Sequence, residues 1–582
     1  MGDVRWVETG DGVRIATYEE GNLDGPPLVL AHGWPDSHVL WDGAVPLLAD
    51  RFRIIRYDNR GAGASSVPKP VRAYTMERFA DDFAAVVAEL SPDEPVHVLA
   101  HDWGSVAVWE YLSRPGASDR IASFTSVAGP STDHYGAFIR SELARPHRPI
   151  RFARAVGLLG RMTYWYPFSI PGLTPLAMRR GLARRLQNRD TPGGTKFRGE
   201  TFDADAANSL KIYRAIAFRN PARGRRDHYV TVPVQVVCGD RDPVVRAYGF
   251  SEQATWAPRL WLRTLKAGHW SPFSHPHALA QMVHELVDHL EGGPAARALL
   301  RAEVGPARSG FAHTLVSVTG AGSGIGRATA LAFAAEGAEV VVSDIDESAA
   351  KQTAKTIVSR GGTAHAYALD VADVDAVARF ADDVCAAHGV PDVVVNNAGV
   401  GQTGAFPDTP GHEWDRVLDI NLGGVVNGCR AFAARMAQRG TSGHIVNVAS
   451  MAAYAPLQSM NAYCTSKAAV YMFSDCLRAE LSAAGIGVTT ICPGVVDTDI
   501  VRTTRFHLAS GVAPETADRA RAQAQRVFRQ RRYGPEKVAS AILAAVKADK
   551  AVRPVTPESY AVYGLSRVLP SVLRRAARAD TF

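Results

Sequence analysis

Apolar and polar positions alternate in blocks along the first half of the chain. Short apolar runs at 27–31 (PLVLA), 52–57 (FRIIRY), 95–100 (PVHVLA) and 121–128 (IASFTSVA) are separated by helical segments. Runs of that length read as strands, and strand–helix alternation predicts a parallel, doubly wound sheet. The alternation stops after Ser131, and strand-like VPVQVVCGD resumes only at Val232. The intervening Arg- and aromatic-rich residues, about 131–227, are expected to form a helical cap over the sheet's carboxyl edge. Residues 292–311, rich in Gly, Pro, Ala and Arg without a sustained period, are expected to be a linker between units spanning 1–291 and 312–582. A second alternating series begins with HTLVSVTG at His313 and runs to the end, without internal repeats.

The 582 residues exceed what one core organises and predict three or four units. A hydrophobic content of 46% and a charged content of 21% are ordinary for globular protein. The beginning of the chain has no apolar h-region, and no apolar run approaches the ~20 residues of a membrane span, so a cytoplasmic protein is expected. Six widely separated cysteines suit free thiols and no zinc site, and no metal is expected. Of the +7 net charge, location is the informative part: Arg140–Arg226 holds 19 Lys/Arg against 5 Asp/Glu. This is either a solvated face or a surface for anionic lipid or an acidic substrate, which allows peripheral membrane contact through the cap. No nucleic-acid module accompanies the charge, so no nucleic-acid partner is expected.

Ala100-His101-Asp102-Trp103-Gly104 follows the strand PVHVL with the small-x-nucleophile-x-small form of a strained strand-to-helix elbow. Asp102 stands where serine hydrolases carry Ser; an Asp capping the next helix is the structural alternative. Asp242, in Gly-Asp-Arg-Asp after VPVQVVC, and His269, 27 residues later, complete the chain order nucleophile, acid, histidine. His32-Gly33-Trp34-Pro35 places the Trp34 backbone N–H beside that of Trp103 as oxyanion donors. With these motifs, residues 1–291 resemble the epoxide hydrolase branch of the α/β-hydrolase superfamily. The resemblance implies attack of the Asp102 carboxylate on an epoxide carbon, then ester hydrolysis by water activated at His269. It also implies two cap tyrosines as acids for the leaving alkoxide. Tyr164, in YWYPFSIPG, and Tyr213, in KIYRAI, match the family elements, with Tyr166 as the rival of Tyr164. A haloalkane dehalogenase shares the Asp-His-Asp set but needs halide-binding N–H donors, commonly an Asn where this chain has Trp34.

In the second series, Thr319-Gly320-Ala321-Gly322-Ser323-Gly324-Ile325-Gly326 joins the strand HTLVSV to a helix. Its glycines would let the backbone approach a pyrophosphate at the helix N-terminus. Asp344 ends the strand EVVVS, where it would accept from ribose hydroxyls and repel a 2′-phosphate; Ile345 follows, not a basic residue. NAD is therefore expected rather than NADP. Tyr463 and Lys467 lie four apart on a predicted helix, hence on one face. The ammonium is expected to lower the tyrosine's pKa for proton transfer. With Ser450 thirteen residues before Tyr463, Asn421 in LDINLGG, and Asn397-Ala398-Gly399, the stretch 312–582 resembles the short-chain dehydrogenases/reductases. The resemblance places Asp370 and Val371 at the adenine, and Pro493, Gly494 and Thr498 at the nicotinamide. It also implies a homo-oligomer assembled through this domain.

The expected class is thus α/β throughout: an α/β-hydrolase with a helical cap, then a Rossmann-type doubly wound parallel sheet. The expected small-molecule substrates are an epoxide and an alcohol or ketone, lipophilic in character. A vicinal diol from the first site would be a chemically suitable substrate for the second; two unrelated activities, or a non-catalytic scaffold, are the alternatives.

Overall fold

A computed structural model describes residues 4–190, 199–217, 229–305, 308–507, 515–531 and 533–577. The chain divides into two compact units, Met1–Pro306 and Ala307–Phe582, rather than three or four. Each unit is built on one large sheet, and a single layered α/β core can organise more residues than the domain average used to count them.

The first unit holds eight strands: β1 Arg5–Glu8, β2 Arg14–Gly21, β3 Pro27–Ala31, β4 Arg53–Tyr57, β5 Val96–His101, β6 Ile121–Val127, β7 Val234–Gly239 and β8 Leu260–Leu265. Their order is β1-β2-β4-β3-β5-β6-β7-β8. The two pairs made by β2 are antiparallel, and every other pair is parallel. Central β3 and β5 are buried along their whole length, as uninterrupted apolar runs must be when helices cover both faces. After β6 come seven helices, from Thr132–Leu143 to Lys211–Ala217, which form the expected cap. Its expected residues 191–198 and 218–227 lie outside the described ones.

Within the stretch expected as linker, Arg297–Ala302 is helical, and Leu299 is buried against Trp261 and Leu286 of the first unit. Leu299 and Ala302 are spaced three apart, so even a short helix can bury both.

The second unit adds β9 Leu315–Thr319, β10 Glu339–Asp344, β11 Thr363–Ala368, β12 Val393–Asn396, β13 Gln402–Gly404, β14 Gly443–Val448, β15 Ile486–Cys492, β16 Arg505–His507 and β17 Val552–Pro554. Seven of them form a wholly parallel sheet, β11-β10-β9-β12-β14-β15-β17, and β13 pairs with β16 apart from it. The order reverses beside β9, which makes a crevice at the carboxyl ends of β9 and β12. Among the described residues, no helix is long and apolar enough to cross a membrane.

Candidate active sites

Strand β5 ends at His101 and the helix Asp102–Leu112 starts on the next residue. Asp102 absorbs that reversal at φ +48°, a strained conformation costing about 1–3 kcal/mol for a residue with a side chain. The close approach requires Gly33: a Cβ there would lie 2.5 Å from the Asp102 Cβ. Asp102 Oδ2 accepts from the Trp34 N–H at 2.9 Å. The Trp103 N–H follows in the first turn of the helix, where backbone donors lack intrahelical partners.

The structure brings the other two residues of the set to Asp102. His269 Nε2 lies 3.5 Å from Asp102 Oδ1, and His269 Nδ1 lies 2.8 Å from Asp242 Oδ2. Asp242 Oδ1 accepts from the Val244 and Val245 N–H groups at 2.7 and 2.9 Å. Burial opposes the Asp242 charge, but the facing His269 and these N–H groups prevail and hold its carboxyl below the usual range. Burial likewise opposes the His269 cation, yet the Asp242 charge and the hydrogen bonds to Asp102 and Asp242 hold the imidazole well above its ordinary value.

Tyr164 and Tyr213 meet above this set with ring centroids 5.8 Å apart, and their phenols face each other. Burial, then the negative charges around them, push both phenols up, so both keep their protons. Tyr166 is 73% exposed and takes no part in this cluster. Trp34, Trp103 and Phe168 close around Tyr213 at centroid distances of 5.6, 5.6 and 5.2 Å. The Trp34 indole donates to the Ala206 carbonyl of the cap at 3.0 Å. The Trp103 indole N–H faces Tyr213 and that of Trp165 faces Tyr164, neither in full hydrogen-bond alignment.

Two carboxylates beside the site escaped the sequence reading. Asp36 accepts from the Trp270 indole N–H at 3.0 Å, and burial pushes its carboxyl up to about 7. It directly follows the His-Gly-Trp-Pro run, so that run extended by one residue would have reached it. Asp190, at the end of a cap helix, accepts from the Trp270 backbone N–H at 3.0 Å. Eighty residues separate the two, and nothing in the sequence links them.

In the second unit, Gly320 through Gly326 turn from β9 into the helix Gly324–Ala335, with Ser323 as N-cap and Ile325 half-buried. A Cβ on Gly326 would strike the Gly320 carbonyl oxygen. Asp344 Oδ2 accepts from the Gly322 N–H at 2.9 Å, which ties the end of β10 to this loop. Asn397 Nδ2 donates to the Thr319 and Gly320 carbonyls, and the Ala398 N–H reaches the Thr319 hydroxyl. Asp370 is exposed after β11 and Val371 is buried beside it. Thr498 lies against Gly324 at a cavity of about 270 Å³. Pro493 accepts from the Met451 N–H, and Gly494 packs on Thr556 and Glu558.

Asn421 sits in a one-turn π-helix, Asp419–Gly423, fully buried. Such bulges gather at functional sites. It donates to the Val400 carbonyl and Ser466 hydroxyl and accepts from the Val400 N–H. Gly399 lies between Asn421 and Lys467. The Ser450 hydroxyl faces the Tyr463 phenol and accepts from the Ala452 N–H at 3.2 Å. One expectation is corrected here. Burial raises the Tyr463 pKa, with Ser450 opposing, and the Lys467 charge does not lower it. The Lys467 ammonium donates to the Val448 carbonyl at 3.0 Å and lies 5.9 Å from the Tyr463 ring centroid. Burial pushes Lys467 itself down to about 8.

A third cluster, Glu339, His365 and His388, gathers at the opposite end of β10. Its imidazoles are stacked 3.8 Å apart with planes 21° from parallel, so as they stand no point near both ring planes is at ligand distance. His365 pairs with Glu339 at 2.9 Å, and Tyr367 with His388 at 2.9 Å.

Residues 26–276 match the alpha/beta hydrolase fold family, and residues 314–508 match the short chain dehydrogenase family. The "Probable oxidoreductase EphD" of Mycobacterium tuberculosis (strain ATCC 25618 / H37Rv) is 61% identical over 581 residues, covering 99% of this chain and 98% of that protein. This chain belongs to that family of hydrolase–dehydrogenase fusions. It is therefore an enzyme with a hydrolase-fold unit and a short-chain oxidoreductase unit, the latter served by a nicotinamide cofactor. The dehydrogenase unit is also similar to the D-threitol dehydrogenase of Mycolicibacterium smegmatis, 40% identical over 31% of this chain and 70% of that one. A solved short-chain dehydrogenase/reductase from Burkholderia phymatum, in complex with NAD, is 30% identical over 47% of this chain and 98% of its own, with a TM-score of 0.41.

Proposed function

We propose that the first unit of this fusion enzyme hydrolyses an epoxide to a vicinal diol. The observation that carries this reading is the meeting of two proton-bearing cap phenols, Tyr164 and Tyr213, with an aspartate nucleophile backed by a His–Asp pair. The Asp102 carboxylate attacks an epoxide carbon and forms an ester; the ring C–O bond breaks, and the phenols give the alkoxide its proton. Water activated at His269 then attacks the ester carbonyl, whose oxyanion is held by the Trp34 and Trp103 N–H groups. The bond between Asp102 Cγ and the ester oxygen then breaks, so that oxygen leaves with the diol, taking a proton from the His269 imidazolium, and Asp102 is restored with an oxygen from water. Aromatic walls around the tyrosines favour lipophilic epoxides. Diol formation from a panel of fatty, terpenoid and aromatic epoxides, with and without NAD, tests the assignment.

The facing indole N–H groups of Trp103 and Trp165 support a second reading, displacement of a halide they would stabilise. Halide release from haloalkanes without epoxide turnover would select it.

In the second unit the proposed reaction is NAD(H)-dependent interconversion of a secondary alcohol and a ketone. The glycine loop, Asp344 and the Asn397–Gly399 turn fit a dinucleotide, because backbone approaches where a side chain would obstruct. Bound nicotinamide would supply the hydride acceptor or donor. Tyr463 gives or takes the hydroxyl proton, Ser450 holds the substrate oxygen, and Lys467 and Asn421 connect that proton to solvent. Assembly through the dehydrogenase unit as a homo-oligomer is part of the proposal and is measurable by sedimentation velocity.

A further inference from the structure

The cap helix Pro149–Met162 carries apolar side chains on both its inward and its outward sides. Its inward side buries Ala155 and Leu158 and pairs Arg151 with Glu142 and Glu252. Its outward side carries Ile150, Ala153, Val156, Gly157, Leu159 and Gly160, all exposed, with Ile150 70% accessible. Exposed apolar stretches on an enzyme ordinarily mark an interaction surface. Residues 150, 153, 157 and 160 recur at helical spacing and line one open groove of about 590 Å³ between this helix and Tyr248, with Arg154 and Arg161 on its edge. The following turns expose Tyr166, Ile170, Leu173 and Leu176 as well.

Charge selects the occupant. From Arg145 to Arg189 there are ten arginines and no Asp or Glu. A second copy meeting this face symmetrically would set arginine against arginine around an apolar centre, which disfavours self-association. A nucleic acid would leave the apolar centre unmatched. A bilayer with anionic headgroups satisfies both features: apolar side chains enter the headgroup–acyl boundary while flanking arginines reach phosphates.

We propose that the outward face of the Pro149–Met162 helix docks the hydrolase cap on an anionic lipid bilayer. The proposal stands independently of the epoxide assignment.

The test is co-sedimentation of the full chain with vesicles of phosphatidylcholine alone or with about one-third phosphatidylglycerol. Wild-type protein should pellet with the anionic vesicles only, and added salt should release it. Ile150→Asp with Leu159→Asp should weaken binding about tenfold or more. Arg148→Gln and Arg154→Gln should each weaken it about fivefold. Unchanged thermal melting would show that the variants remain folded, and if the double aspartate variant melts early the two Arg→Gln variants decide. Wild-type protein staying in the supernatant would overturn the proposal. So would equal binding to neutral vesicles, or folded variants that pellet like wild type. An oligomer that the Ile150/Leu159 variant dissociates would assign the face to a protein contact and overturn it too.

Discussion

His269→Gln should separate the two chemical steps of the first unit. Attack on the epoxide carbon uses the Asp102 carboxylate, whose Oδ2 is held by the Trp34 N–H at 2.9 Å, and the two cap phenols, without a base at His269. Ester hydrolysis requires a base, and no described neighbour replaces His269. His101 Nε2 is engaged with the His269 carbonyl at 3.0 Å, and Asp36 is engaged with the Trp270 indole. General-base catalysis contributes about 10²–10⁴-fold, so hydrolysis should slow by that factor, equivalent to roughly 3–5.5 kcal/mol of barrier. Alkylation should change much less, and the ester should accumulate. Intact-protein mass spectrometry after mixing with an accepted epoxide should show one adduct of the substrate's mass, located by digestion on Asp102. In heavy-oxygen water, a single wild-type turnover should give largely unlabelled diol, because its new oxygen comes from Asp102. Fully labelled diol in the first turnover, or a variant equally slow in both steps without adduct, would refute the nucleophile assignment.

Tyr213→Phe should lower epoxide turnover by about 10²-fold or more while leaving the fold intact, measured as diol formation. Asp344→Ala should relax discrimination against NADP(H). It should also raise the KM for NAD(H), since the Gly322 N–H loses its acceptor; a wild type that already prefers NADP(H) would contradict the reading. Lys467 falls from 10.5 to about 8 on burial, so between those values the unfolded chain binds one more proton, and stability rises with pH across that window. Lys467→Met should therefore stabilise the second unit near pH 7 by up to ~3 kcal/mol, less the lost bond to Val448, with the gain fading toward pH 10 and activity abolished. Urea melts at the two pH values check the sign. An epoxide accepted by the first site should yield NADH in the intact protein if the reactions run in sequence. Asp102→Ala should abolish that signal, added diol should restore it, and Tyr463→Phe should stop the reaction at the diol.

Much of this protein was legible locally. The apolar runs that became β3, β5, β9 and β10, the elbow at Asp102 and the glycine turn after β9 depend on neighbours a few residues away. Strain, close backbone approach and strand burial each leave a mark in the residues that bear them. The Tyr463–Lys467 spacing likewise placed both groups on one helix face. What periodicity could not supply was contact between distant segments. Tyr164 and Tyr166 are equivalent as sequence, and only the packing of the cap turned one toward Tyr213 and left the other exposed. The direction of the Tyr463 shift was misjudged because spacing gave the nearness of Lys467 but not the burial that raises the phenol. Asp190 reaching Trp270, and a cap helix that exposes apolar side chains on its outward side, were equally invisible. A helical period says that one side differs from the other, but which side meets the core is decided by the rest of the folded unit.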